Sequence, residues 1–379
     1  MQFGLTETQT TLKNTVRKFL AAECPPAEVR RLIETETAFD AALWKKMAEQ
    51  GWTGIIFPEE HGGFGMGMVE LAAAMEEMGR ALLPGPYFST VLLAGTLLDG
   101  CPDGGAKRAY LAAVCTGEKK GTLAMLEASA DWSPEAVRME AAPCDGGYRL
   151  NGQKLFVTDA GAADFLLCVA RVDEALAIFA VDAGAPGLRV SAMQALDGTR
   201  KLYTVSFDDV VVGALALAAS GDAASMALER MLNRAAAALS AEMVGGMQRA
   251  LELTVEYAKT RKQFGRPIGG FQAVQHLCAD MLLLTESSRS AAYYAAWAVQ
   301  ENVPEASEAV SIAKAYASDA YREVCNRGIQ VHGGMGFTWE NDLHLFYRRA
   351  KASEIAFGDA NLHRERIAKL VVDAARRGA

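Results

Sequence analysis

The stretch Arg261-Lys-Gln-Phe-Gly-Arg-Pro-Ile-Gly-Gly-Phe-Gln272 closes one helical pattern and opens another. Gly265 and Pro267 stop the helical ladder, since glycine is conformationally loose and proline lacks the amide hydrogen; the first helix is expected to end near Lys262. Arg261 and Lys262 are then left beside a bend at a helix C-terminus, where positive charge is favoured. Taken alone, this is a helix connection carrying solvated charge. A second cluster, Gln330-Val-His-Gly-Gly-Met-Gly-Phe337, lies beyond the helical stretch that starts at Gln272. Gly333, Gly334 and Gly336 let a backbone approach a ligand closely, and Gln330 sets an amide just ahead of them.

Working outward, helical periodicity returns after about Ala216 and persists to the end. Met243, Met247 and Leu251 form one apolar row, and Phe271, Val274, Cys278 and Met281 a second, as in an antiparallel bundle. A methionine row of this kind belongs in a core. Toward the N-terminus, Leu5 to about Thr116 also reads as helix. Thr6 can cap a first helix carrying Leu12, Val16, Phe19 and Leu20; a second runs from Phe39 to Gln50 and a third from Val69 to Leu82. The glycine-rich loop from Phe57 to Gly65 between them has no preceding strand and no following lysine, so it is not a nucleotide loop. From Gly121 the character changes to short β-branched and aromatic runs: 122–126, 148–150, 154–157, 165–171, 177–181 and 203–207. Asn151-Gly152 between two of them reads as a hairpin turn.

The 379 residues are 51% apolar and 22% charged, enough for two or three globular domains. A formal charge of -8 argues against a nucleic-acid partner. Seven cysteines without a C-x-x-C pair or metal-ligand spacing point to reduced thiols and no metal site. No basic-then-apolar leader and no run of roughly twenty apolar residues is present, so a cytoplasmic protein without a membrane span is expected.

The spaced pair Arg-x-Gln-Phe-Gly-x-Pro-Ile-x-x-Phe-Gln and Gln-x-x-Gly-Gly-x-Gly-Phe resembles the C-terminal domain of the acyl-CoA dehydrogenase family, and the likeness runs over nearly the whole chain. It implies an α+β fold: an N-terminal α-helical domain (1–120), a middle antiparallel β-domain (121–216) and a C-terminal four-helix bundle (217–379) with the flavin and oligomer interface. It further implies FAD, an acyl-CoA thioester, and α,β-dehydrogenation in which a glutamate takes the α-proton; an electron-transferring flavoprotein is the expected acceptor. Carried over, Arg261, Gln263 and Phe264 fall where the family contacts the diphosphate and adenosine of a flavin bound mainly to a neighbouring subunit. Gln330, Gly333 and Gly334 match the second part of that contact, and Phe271 and Gln272 further flavin positions. Asp359 and Asn361 stand where a threonine and a glutamine usually touch the cofactor. In the β-domain, Leu126, Phe156 and Thr158 are the corresponding positions, and the Leu92 and Leu93 region suits a wall of the acyl pocket.

The same frame exposes departures. The residue before Gly358, usually the catalytic glutamate, is Phe357, and the alternative base position on the preceding long helix is Ala235; neither can take a proton. Glu242 lies seven residues after Ala235, displaced by about 10 Å along a helix axis. Asp359 is a candidate base or simply a helix cap. Where the family reads Thr-Glu-Pro-x-Ala-Gly-Ser-Asp, this chain has Leu126-Glu-Ala-Ser-Ala-Asp-Trp-Ser133, with Asp131 and Trp132 in the glycine and serine places. The pattern is similar to subunits of heterotetrameric acyl-CoA dehydrogenases, of fatty acid or steroid side-chain catabolism, whose paralogous partner supplies the base. A self-sufficient homotetrameric dehydrogenase or oxidase using a base such as Asp359, and a non-catalytic scaffold subunit, are the alternatives.

Overall fold

The computed structural model describes residues 4–378. In chain order they form α1 (Glu7–Glu23), α2 (Pro26–Ile33), α3 (Ala41–Glu49), α4 (Met68–Arg80), α5 (Thr96–Gly100), α6 (Gly105–Cys115), β1 (Gly121–Ala124), β2 (Ala141–Cys144), β3 (Gly147–Thr158), β4 (Phe165–Val172), β5 (Ala175–Asp182), β6 (Leu188–Met193), β7 (Leu202–Gly213), β8 (Leu217–Ser220), α7 (Asp222–Thr260), β9 (Lys262–Gln263), β10 (Arg266–Pro267), α8 (Gln272–Gln300), α9 (Ala306–His332), α10 (Leu343–Ile355) and α11 (Ala360–Gly378). Two compact units result. The first comprises the chain up to Val29, Met68–Leu83 and everything from Ala236; the second comprises Arg30–Gly67 and Pro84–Ala235. Among the described residues no helix is long and apolar enough to cross a membrane.

The first unit is helical. Thr6 caps α1 as expected, and reciprocally: its hydroxyl accepts from the Gln9 amide while the Gln9 side chain accepts from the Thr6 amide. Helices α4 and α7 cross at glycine. A Cβ on Gly79 would run into the Glu242 carbonyl, one on Gly245 into the Glu76 carbonyl, and one on Gly246 into the Tyr321 hydroxyl of α9. Backbones this close leave no room for side chains at the crossing. Met243, Met247 and Leu251 are buried in the row expected for them, whereas of the α8 row only Met281 is fully buried and Phe271, Val274 and Cys278 are half-buried.

Charge also sits inside this unit. Glu76 of α4, buried, accepts from Lys13 (2.5 Å), from the Tyr293 hydroxyl (2.8 Å) and from Arg289; its buried neighbour Glu77 takes the Arg17 guanidinium at 2.7 and 2.8 Å. Burial, reinforced by Arg289, brings the Lys13 ammonium down to about 8. These bridges pin α1 and α8 to α4.

The second unit holds two four-stranded sheets, ordered β1-β4-β5-β8 and β2-β3-β7-β6. Leu166, Cys168 and Phe179 of one sheet share a core with Leu150, Val205 and Phe207 of the other. From Phe165 to Ala170, β4 is buried throughout, while β7 alternates buried and exposed, as expected for strands covered on two faces and on one. The additional cover comes from helices: α6 packs near β8, and a π-helical segment, Phe88–Gly95, lies on β1 and buries Leu92 and Leu93.

Three details differ from expectation. β1 pairs with β4 in parallel, which the chain achieves because it crosses through β2 and β3 of the other sheet in between. Asn151-Gly152 is no hairpin turn: β3 runs on through it, the register shifts there, and the Asn151 amide bridges to Asp209 on β7 (2.9 Å out, 2.8 Å back). The Asn-Gly signal served a bulge. Finally, α7 stops at Thr260, and Lys262–Gln263 pairs with Arg266–Pro267 as a short antiparallel ladder. Strands β2, β6 and β8 and helix α2 carried too little pattern to be anticipated.

Candidate functional site

In the first unit the helix ends that lead into the two glycine-bearing segments meet. Tyr257, near the end of α7, stacks on His332, the last residue of α9, with ring centroids 4.2 Å apart and planes 21° apart. Burial lowers the His332 pKa and keeps the imidazole neutral; Nδ1–H then donates to the Gly328 carbonyl at 2.8 Å. Gly328 in turn lets α9 come close to α7, since a Cβ there would lie only 2.9 Å from the Thr254 hydroxyl. The Arg261 turn and the Gly333 cluster thus each lead off from one of two helix ends that are held together.

The turn closes through the Ile268 amide, which donates to the Arg261 carbonyl at 2.8 Å, and it throws Phe264 out with a left-handed backbone (φ 51°). That ring is 91% exposed, edge-on to Phe271 at 6.1 Å, while the Arg266 guanidinium lies 4.1 Å from the Phe271 centroid. Arg261, Gln263, Gln272 and Gln330 are likewise exposed. A Cβ added at Gly333 (φ 59°) or Gly334 would meet nothing within 4 Å, whereas Gly336 packs on Ile329. Two of the three glycines therefore form an open cradle and the third is structural. Guanidinium forks, open backbone and an unsupported aromatic ring suit a dinucleotide, with its diphosphate and flat bases.

The loop between α10 and α11 carries the other positions. Phe357 is buried with φ 59°, Gly358 follows at φ 100°, and Asp359 is exposed. Asp359 Oδ1 accepts from the Leu362 amide at 2.8 Å, so this carboxylate caps α11. Asn361, also exposed, lies in the first turn. Glu242 is buried and its carboxylate holds the guanidinium of Arg349. Ala235, in the second unit, is fully buried within α7.

Also in the second unit, Phe156 occupies a second bulge in β3, between Lys154 and Val157, with φ 55° and 39% exposure. Bulges re-aim side chains in this way next to binding sites. Thr158 is half-buried and its carbonyl accepts from the Thr122 hydroxyl at 2.5 Å. Leu126 points its side chain inward and its carbonyl accepts from the Leu155 amide at 2.8 Å, so it offers no side chain to a ligand.

Sequence reasoning missed what joins these segments. The Lys154 ammonium, fully buried, donates to Glu127 (2.7 Å) and to the Met125 carbonyl (3.1 Å), while Glu127 also accepts from the amides of Arg138 and Met139. Burial pushes the Glu127 pKa up, but Lys154 and the two amides outweigh it and the carboxylate stays below its ordinary value. The only sequence signal was a lysine set among the apolar Leu150, Phe156 and Val157 of one strand. Beyond Glu127, Asp131 Oδ1 accepts from the Ser133 amide and hydroxyl, both at 2.8 Å, closing the loop on itself. A cleft of about 440 Å³ beside it is lined by Glu127, Asp131 and Glu135 against one guanidinium, Arg138, a balance that disfavours an anion.

Comparison with known proteins gives matches over almost the full chain. Residues 6–118, 122–210 and 224–372 match the family profiles described as the N-terminal, middle and C-terminal domains of acyl-CoA dehydrogenase. The chain is 31% identical to acyl-CoA dehydrogenase FadE27 of Mycobacterium tuberculosis, over 97% of this chain and 98% of that one. Among solved structures it is similar to the ChsE4–ChsE5 complex from Mycobacterium tuberculosis (TM-score 0.89, 30% identity, 98% of this chain and 99% of that chain). It is also similar to PigA with FAD and proline (TM-score 0.90, 26% identity, 98% and 99%).

Proposed function

Because this chain belongs to the acyl-CoA dehydrogenase family, FAD-dependent oxidoreductases acting on CH–CH bonds, we propose that it is the subunit of a heterotetrameric dehydrogenase that carries no base of its own. The observation that carries this reading is the side chain at each usual base position: a buried phenyl at Phe357 and a buried methyl at Ala235. Neither removes a proton at any pH. The two candidate acids have other partners, Glu242 in its bridge to Arg349 and Asp359 at the start of α11. Similarity to a complex of two different chains, ChsE4 and ChsE5, is in keeping with a paralogous partner.

On this reading the segments 1–120, 121–216 and 217–379 act as acyl-pocket wall, flavin-and-thioester platform, and bundle with flavin and oligomer interface. The open cradle at Gly333 and Gly334, with exposed Arg261, Gln263, Phe264, Gln272 and Gln330 and half-buried Phe271, fits the dinucleotide end of FAD held chiefly by the neighbouring subunit. Asp359 and Asn361 present polar groups beside that ligand. In the β-domain Phe156 offers a ring face and Thr158 a hydroxyl for the flavin's own ring system. When bound, FAD supplies the acceptor for the hydride that leaves the β-carbon. This chain's residues orient the cofactor and shed water from it, and the partner's carboxylate takes the α-proton of an acyl-CoA thioester, with an electron-transferring flavoprotein downstream.

The test is co-expression with the neighbouring reading frame, followed by measurement of FAD content and subunit stoichiometry. One FAD-bearing complex containing both chains is the expected result. A flavin-loaded homotetramer from the lone chain would favour a self-sufficient enzyme, and a complex without flavin would favour a scaffold.

A further inference from the structure

A lysine that nothing above uses is buried in the middle of α9. Lys314 has no exposed surface, and its three N–H groups are all committed: to the Gly358 carbonyl at 2.8 Å, the Glu354 carbonyl at 3.1 Å and the Ser318 hydroxyl at 3.0 Å. Glu354 lies in the last turn of α10, so its carbonyl is one of those a helix leaves without an internal partner. His363, buried on α11, reaches the adjoining residue: Nε2 lies 3.1 Å from the Phe357 carbonyl, and Nδ1 lies 3.3 Å from the Ser311 hydroxyl. A neutral imidazole donates through Nε2–H and accepts at Nδ1 in this arrangement. Two consecutive peptide carbonyls, those of Phe357 and Gly358, are thus each gripped by a buried side chain. Ser311, Lys314 and Ser318 share one face of α9, at spacings of three and four.

The backbone so held is an unusual one. Phe357 and Gly358 both lie at positive φ, and for phenylalanine that conformation is strained and persists only where its surroundings over-determine it. Burying an ammonium is costly as well, and burial brings Lys314 down to about 7 despite the attraction of Asp359, Glu354 and Asp319. Strain and a buried charge thus both go into fixing the shape of this one loop.

We propose that Lys314 and His363 are positioning residues that set the Phe357–Gly358–Asp359 backbone, and with it Asp359 and Asn361, in register for FAD. The inference rests on the reading that this loop touches the cofactor, and it concerns placement alone, since no proton is moved here.

The experiment uses the complex as co-expressed, with Lys314→Met, His363→Leu and His363→Gln, the last retaining a donor that can reach the Phe357 carbonyl. Amide hydrogen exchange over residues 356–362 and the FAD dissociation constant are measured well below each variant's melting temperature. Expected are about tenfold faster exchange confined to that loop and about tenfold weaker FAD binding in Lys314→Met and His363→Leu, with His363→Gln close to the parent. Faster exchange spread over all of α9 to α11, or loop loosening with unchanged FAD affinity, overturns the proposal and leaves the two residues as ordinary bundle packing. An unmodified complex that binds no FAD is a separate outcome: it removes the reading on which the proposal rests, and the proposal with it.

Discussion

Glu242 of α7 and Arg349 of α10 form an ion pair inside the helical unit, 3% and 2% exposed, and the same guanidinium donates to the Leu83 carbonyl at 3.3 Å. The acid seven residues beyond the inert Ala235 position on α7 therefore serves packing. Removing one member of such a pair strands the other's charge in the interior, at about 3–5 kcal/mol. Arg349→Met is expected to lose that much in urea unfolding, and Glu242→Leu combined with Arg349→Met to regain most of it. A loss below about 1 kcal/mol in the single variant would mean that Glu242 does not depend on Arg349.

Lys154 ties the Leu126–Ser133 loop to the strand that carries Phe156 and Thr158, through its 2.7 Å bond to Glu127. Lys154→Met fills the same volume but releases Glu127, so a loss of about 3 kcal/mol in thermal or urea unfolding is expected, together with weakened flavin retention. Unchanged stability with full flavin content would show that the two segments are held by the sheet alone.

Acid sensitivity should trace to His363. Its pKa falls from 6.5 to about 4, chiefly through burial and then through repulsion by Lys314 and Arg366. A folded value below the unfolded one means that the unfolded chain binds the proton first as pH drops. The contribution is accordingly intact above pH 6.5 and is lost progressively down to about pH 4, amounting to roughly 3 kcal/mol. His363→Gln should flatten the stability profile over that window by a comparable amount. A variant with the parent's slope would assign the acid sensitivity to other groups.

Phe264 is 91% exposed within its own chain and supports nothing there beyond an edge contact with Phe271. Phe264→Ser should leave the unfolding energy of the isolated chain within about 0.5 kcal/mol. If the ring packs against a neighbour's flavin, the same substitution weakens FAD binding and assembly in the complex, read by flavin absorbance and sedimentation. Loss of chain stability without loss of flavin would contradict that placement.

What could be read in advance follows from how local each signal was. The Arg261 turn, the glycines at 333 and 334 and the Thr6 cap announce themselves within a few residues, because glycine, proline and capping side chains act on their own backbone. Asn151-Gly152 misled because its side chain bonds to Asp209, across the sheet. Glu76 and Glu77 look like the solvated side of α4 until Lys13, Arg17 and Arg289 arrive from other helices. Lys154 and Lys314 were invisible for the same reason: a buried lysine is defined by acceptors supplied from elsewhere, here Glu127 for one and the loop after α10 for the other. The two missing bases were legible only against the family pattern, in which Gly358 fixes the place of one and the long helix before it the place of the other.

The measurement that bears most directly on the central claim is anaerobic flavin bleaching by a panel of acyl-CoA thioesters, run on the lone chain reconstituted with FAD and on the co-expressed complex. With Phe357 and Ala235 where a carboxylate is needed, the lone chain should leave the flavin oxidised, while the complex bleaches at an ordinary enzymatic rate of about 1–10³ s⁻¹. Bleaching at such a rate by the lone chain, free of any partner, would contradict the account.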